Sequence, residues 1–194
     1  TLGLSVGKTE EKMGIRGSNT TEVVFEDVRL PVSQRIGEEG VGWWLMMRTL
    51  NRSRPAIGAL ALGLAEGALN YVIQFGQDKG WAERKNDTLG VQFMLADMAT
   101  EIEAARALVY KAAGMMDEKA KGTPVQMYSA MSKYFASDVA MKVATEAVQI
   151  MQWQGLVQSH PVERMMRDAK VIQIFEGTNQ IQRMVVAHTL LKSK

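Results

Sequence analysis

The sequence predicts a mainly α-helical protein: an antiparallel four-helix bundle of the up-down-up-down type, preceded by a short β segment. Three observations carry that prediction. From about Glu39 onward the composition shifts to Ala, Leu, Met and Glu, with few turn residues inside long segments; these residues lose little on entering a helix. Apolar side chains in that region recur at spacings of three and four, the period of a helix with one buried face. Ahead of it, short apolar pieces rich in β-branched residues are broken by turn residues, as strands are. The division falls at residues 1–36 and 37–194.

In order, Leu2 to Pro31 reads as two or three strands, punctuated by Gly14, Gly17, Ser18 and Asn19. Gly37, Gly40 and Gly42 form a flexible passage into the first helix, expected from about Glu39 to about Phe75. Pro55 lies inside it and, lacking an N–H, is expected to kink or split it near Arg54. The small residues from Gly58 to Gly67 allow close approach of another helix or of a ligand. Gln77 to Thr88 is polar, with Gly80 and Asn86-Asp87, and reads as a loop. A second helix starts near Thr88, its core face carrying Leu95, Met98, Ile102, Ala105 and Val109. Gly122-Thr123-Pro124 is a helix stop, an N-cap and a first-turn proline. The third helix, striped with Met131, Phe135, Val139 and Val143, runs to about Met151 and is closed by Gly155. A shorter helix covers His160 to Lys170. Thr178 or Asn179 caps the last, which ends near Lys192, and Asn179 with Gln182 makes a capping box.

Composition narrows the function. Apolar residues are 46% and charged residues 23% of the 194, with net charge +2; that balance suits a globular domain and offers no electrostatic case for nucleic acid. With no cysteine, thiolate catalysis and cysteine metal sites are excluded. His160 and His188 lack metal-ligand spacing, so no metal is expected and both read as structural or surface residues. No uncharged apolar run reaches the roughly 18–20 residues of a membrane span, because Glu66 interrupts the run from Ala56. The fourteen methionines fall mostly at stripe positions and read as core. The first residues, Thr1 to Val6, look like the middle of a strand, so the chain is expected to be a fragment.

The stretch Val171 to Gln182 holds the most reactive address. Glu176 follows an apolar run and precedes Gly177, Thr178 and Asn179, at a helix start. Desolvation there favours a neutral carboxyl group, while helix N–H groups favour a charged one. A carboxylate under such opposed influences suits proton abstraction near neutral pH. The plainer role is a cap or a solvated helix start, and the local residues leave both open.

Taken together in order, several motifs carry a family resemblance. Gly14-Ile15-Arg16-Gly17-Ser18-Asn19-Thr20, Val24-Phe25-Glu26-Asp27-Val28-Arg29-Leu30-Pro31, Leu95-Ala96-Asp97-Met98-Ala99-Thr100-Glu101, Arg167-Asp168-Ala169-Lys170 and Phe175-Glu176-Gly177-Thr178-Asn179-Gln180-Ile181-Gln182 resemble the acyl-CoA dehydrogenases. The resemblance implies that residues 1–36 are the tail of a middle β-domain and 37–194 the C-terminal helical bundle. It implies an FAD cofactor, an acyl-CoA substrate, α,β-desaturation, an electron-transfer flavoprotein as acceptor and a homo-oligomer, dimer or tetramer. It places the protein in the cytoplasm, or in the mitochondrial matrix if eukaryotic. Glu176 matches the family's catalytic base, and Gly177 leaves room for substrate. Thr178, Asn179 and Gln180 match FAD contacts, and Asn51-Arg52-Ser53-Arg54 resembles the segment that meets the CoA thioester. Some members carry the base on that first helix, where Ser53 stands here; serine cannot replace a carboxylate base, which leaves Glu176.

Two departures fall where members bind the FAD of a neighbouring subunit. Lys79 stands for an arginine, giving a point charge in place of a planar fork. In Gln149-Ile150-Met151-Gln152-Trp153-Gln154-Gly155, Gln152 and Trp153 occupy places of glycines; Gln149 keeps its match as a cofactor contact. Trp153 offers either a stacking face for adenine or a seal for an interface. The alternative to an active dehydrogenase is a flavin-poor structural subunit of a hetero-oligomer, and a third reading is a flavoenzyme that passes electrons to oxygen.

Overall fold

The computed structural model describes residues 1–84, 88–117 and 123–192. Two short strands, β1 (Leu4–Val6) and β2 (Val23–Phe25), pair antiparallel with Leu4 opposite Phe25. Five α-helices follow among the described residues: α1 (Gly42–Asp78), α2 (Leu89–Asp117), α3 (Thr123–Met151), α4 (Val162–Ile172) and α5 (Asn179–Lys192). Asn86-Asp87 and Gly122, called as loop and helix stop, lie outside the described residues.

The first three helices alternate in direction. Arg106 on α2 pairs with Glu66 on α1, and Val109 faces Gly58, so α2 runs against α1. Lys142 with Glu101 and Lys111 with Tyr128 set α3 against α2 in turn. The fourth place of the up-down-up-down bundle is taken by α4, and α5 lies on α3. That makes α3 the central helix, in contact with each of the other four. Its Ala136, Val139, Ala140, Val143, Ala144 and Ala147 meet Ala61, Ala65, Ala68 and Val72 of α1 in the core. Alanines on both sides bring the two axes close, and each larger aliphatic buried between them contributes about 1.5–3 kcal/mol.

Pro55 neither splits α1 nor ends it. The helix runs unbroken from Gly42 to Asp78, starting later and ending later than its pattern predicts. Proline at 55 cannot donate to the carbonyl of Asn51, four residues back. The Ser129 hydroxyl of α3 donates to that carbonyl instead, at 2.5 Å. Close approach makes the bond feasible: a Cβ on Gly58 would stand 3.0 Å from the Ser132 carbonyl. By length and composition α1 could also cross a membrane, with mean hydropathy 1.5; here it packs against α2, α3 and α4.

The β segment is tied to the bundle through α4. Arg167 donates to the Met13 carbonyl at 2.6 Å and the Ile15 N–H donates to Asp168 at 2.5 Å. Gly14 between them admits no side chain, since a Cβ would meet the Arg167 carbonyl at 2.5 Å.

Candidate active site

Between the end of α4 and the start of α5 the chain makes a tight turn, 173–178, on which Glu176 stands half-buried. Its backbone is left-handed, with φ 56°, and Gly177 follows at φ 91°. For a non-glycine residue that conformation costs about 1–2 kcal/mol and persists only where surrounding structure enforces it. A Cβ on Gly177 would come within 2.6 Å of the Gln182 amide nitrogen, which itself donates to the Gly177 carbonyl at 3.1 Å. Glycine is needed here for the turn itself. The expected capping box does not form. Thr178 caps α5, accepting from the Ile181 N–H at 3.4 Å, while the Asn179 N–H closes the turn onto the Gln173 carbonyl at 3.0 Å. The Asn179 side chain points into the bundle, 3% exposed, because α3 offers it partners there.

The Glu176 carboxylate accepts a hydrogen bond from Ser53 at 2.9 Å. One residue on, Arg54 is 2% exposed; it donates to the Asn51 side chain at 2.7 Å, and its Nε has no hydrogen-bond partner. Burial lowers the Arg54 pKa from its ordinary value, opposed by the attraction of Glu176. Arg54 is therefore a buried residue of the bundle and not a surface one. Beneath the turn, Lys133 of α3 is fully buried and donates to the Gly177 carbonyl and to the Asn179 side chain, both at 2.9 Å. Burial pushes its pKa down to about 8, and the charge of Arg54 acts in the same direction; Asp138 and Glu176 oppose them.

Lys133 was not among the residues singled out from sequence, although a signal existed. Ser129, Lys133 and Ser137 recur every four residues on α3, a polar line on a helix judged only by its apolar stripe. Ser137 also donates to Asn179 at 3.1 Å, and Asn179 donates to Asp138 at 2.8 Å.

The other candidates divide between two places. Gln180 is exposed at the start of α5, beside Thr178. Arg52 is exposed on a separate groove of about 540 Å³ between α1 and α2, with Glu66, Arg106 and Tyr110. Lys79 lies 26 residues beyond Ser53 on the α1 path, about 39 Å at the helical rise, with its ammonium 5.5 Å from the Phe75 ring centre. Gln149 is exposed on the last turn of α3, at that same far end. Trp153 nearby is 68% exposed, and Gln152 holds φ 55°, the left-handed turn that a glycine would take without strain. His160 is structural, its Nδ1 2.8 Å from the Tyr71 hydroxyl.

The turn thus presents a strained, serine-bonded carboxylate beside a capped helix start. The model of the acyl-CoA dehydrogenase C-terminal domain matches residues 40–191, and the chain belongs to the acyl-CoA dehydrogenase family. Cyclohexane-1-carbonyl-CoA dehydrogenase of Geobacter metallireducens is 47% identical over 98% of this chain and 50% of its own length. The butyryl-CoA dehydrogenase of Megasphaera elsdenii superposes with TM-score 0.93 at 44% identity, over 99% of this chain and 50% of that one. A chain in the structure of the electron transferring flavoprotein of Acidaminococcus fermentans superposes at 0.92, also with 44% identity, over 99% and 50%. The chain spans about half the length of the curated relatives it matches.

Proposed function

We propose that the chain is the C-terminal portion of an FAD-dependent acyl-CoA dehydrogenase that desaturates an acyl-CoA thioester between Cα and Cβ, with Glu176 as base. The observation that carries this reading is the left-handed backbone of Glu176 with its carboxylate bonded to Ser53. Strain of this kind gathers where a side chain must be aimed, and a cap or a solvated acid has no need of it. A thioester α-proton is weakly acidic, so the base must be held against Cα in fixed geometry. Ser53 does this on one side and the Gly177 turn on the other.

The residues around the turn fit a flavin contact: Thr178 and Gln180 stand at the N-terminus of α5, whose free N–H groups and dipole suit an anionic ligand. Asn179 would take part through its backbone, its side chain being held inside. FAD, when bound, supplies the hydride acceptor for Cβ. Lys79 and Gln149 lie too far along the bundle to share a ligand with Glu176 in one chain, which supports contact with the flavin of a second subunit and hence a homo-oligomer. The solved relative with an electron transferring flavoprotein in its description supports that class of acceptor, and a cytoplasmic location follows the same reading. A flavin-poor structural subunit is favoured by one observation, the exposed Trp153 beside Gln152 where the family has glycines.

The visible spectrum of the full-length protein separates the two. The dehydrogenase reading requires a flavin band, with or without added FAD, and its absence selects the structural subunit. Glu176→Gln should leave the flavin bound and abolish its bleaching by acyl-CoA; normal bleaching in that variant moves the base elsewhere.

A further inference from the structure

We propose that Lys133 is a positioning residue for Glu176: from the middle of the bundle it grips the turn that carries the carboxylate and holds it in its strained conformation. The inference rests on the reading of Glu176 as the base, and its evidence is separate. Lys133 lies on α3, remote in sequence from the turn, is fully buried, and places its ammonium 2.9 Å from both the Gly177 carbonyl and the Asn179 Oδ1. Those two acceptors lie one and three residues beyond Glu176. A left-handed residue relaxes unless both flanks are fixed. Ser53 fixes the carboxylate itself, and Lys133 fixes the backbone just beyond it. The Asn179 side chain is held in turn by Ser137, Asp138 and the Tyr134 carbonyl, which leaves it little freedom to follow a moving turn.

A buried lysine is an expensive means of holding a carbonyl, since an ammonium resists desolvation where a neutral donor does not. The charged groups facing it are Arg54 on α1, Asp138 on α3 and Glu176 on the turn. Loss of the Lys133 proton weakens the grip, because a neutral amine is a poorer donor than an ammonium. The rate of proton abstraction should therefore fall as pH rises through about 8, the value to which burial pushes this group.

The test uses the full-length protein with FAD, as wild type, Lys133→Met and Lys133→Gln. Hydrogen exchange followed by mass spectrometry reads the turn without reference to activity. Peptides covering 174–182 should exchange about tenfold faster in Lys133→Met, while those of α2 stay as in wild type. Flavin bleaching at saturating acyl-CoA should slow about tenfold, the scale of one charge-assisted hydrogen bond, with KM within about threefold of wild type. The descending limb near pH 8 should vanish. If Lys133→Met does not fold, Lys133→Gln, which keeps a neutral donor, should show the lost limb and a smaller change in exchange. Unchanged exchange at 174–182, or an unaltered pH profile, in a folded variant overturns the proposal. A wild type that binds flavin but is not bleached by any acyl-CoA overturns the base reading instead, and the exchange result then judges the hold of Lys133 on the turn by itself.

Discussion

Ser129 and Pro55 should be strongly coupled, because one replaces what the other removes. Proline at 55 leaves the Asn51 carbonyl without its helical donor, and the fully buried Ser129 hydroxyl fills the gap at 2.5 Å. Ser129→Ala should then orphan a buried carbonyl, at about 1–3 kcal/mol. Pro55→Ala restores the N–H to the helix ladder and releases Ser129 from that duty. It also frees the unfolded chain, which costs about 0.4–1 kcal/mol, so by itself it should be near neutral. In the Pro55→Ala background, Ser129→Ala should cost no more than about 0.5 kcal/mol, since the carbonyl now has a backbone donor. The coupling energy expected from the cycle is thus about 1–2 kcal/mol, well above the few tenths seen for independent sites. Equilibrium urea unfolding of the full-length protein, with all four members compared at unchanged m-value, measures it. Additive effects, with coupling below about 0.5 kcal/mol, would refute the account of how α1 passes through its proline.

Gln152→Gly should stabilise the protein by about 0.5–1 kcal/mol, because it relieves a left-handed glutamine and loses part of that gain to unfolded-state freedom; urea midpoints read the sign. Gly155→Ala, three residues on, should do the reverse and more, since a Cβ there stands 2.6 Å from the Val148 carbonyl. Ser53→Ala should slow flavin bleaching by acyl-CoA about fivefold to tenfold while moving stability by less than about 1 kcal/mol, because it removes a hydrogen bond from a carboxylate that stays half in water; a loss of stability without a loss of rate would make Ser53 structural. Stability should rise as pH climbs from about 8 to the ordinary lysine value of 10.5, where the unfolded chain binds the Lys133 proton and the folded one does not. Lys133→Met should flatten that difference, as measured by unfolding across the window.

Helices were legible wherever one face repeats: Met98, Ile102, Ala105 and Val109 sit on the buried side of α2 as their spacing demands. Two departures share a cause. Pro55 was expected to kink or split α1, which stays unsplit, and Asn179 with Gln182 to form a capping box where Thr178 caps instead, because both rules are local and count only neighbours in the chain. In each case α3 supplied a partner from far away in sequence, Ser129 for the carbonyl that proline orphans and Lys133 with Ser137 for the amide that turned inward. Both partners belong to one polar line, Ser129, Lys133 and Ser137, on the central helix. A period search scores that line as a defect in an apolar stripe, when it is the feature that allows a proline inside α1 and a strained glutamate at the end of α4 to coexist in one core. Glu176 was found through its neighbours in sequence, whereas the residues that hold it could be found only once α1, α3 and the turn were seen to meet. That is the physical reason Glu176 was readable as a candidate and its support was not: a side chain is marked in sequence by its own chemistry, and the groups that hold it by what they touch.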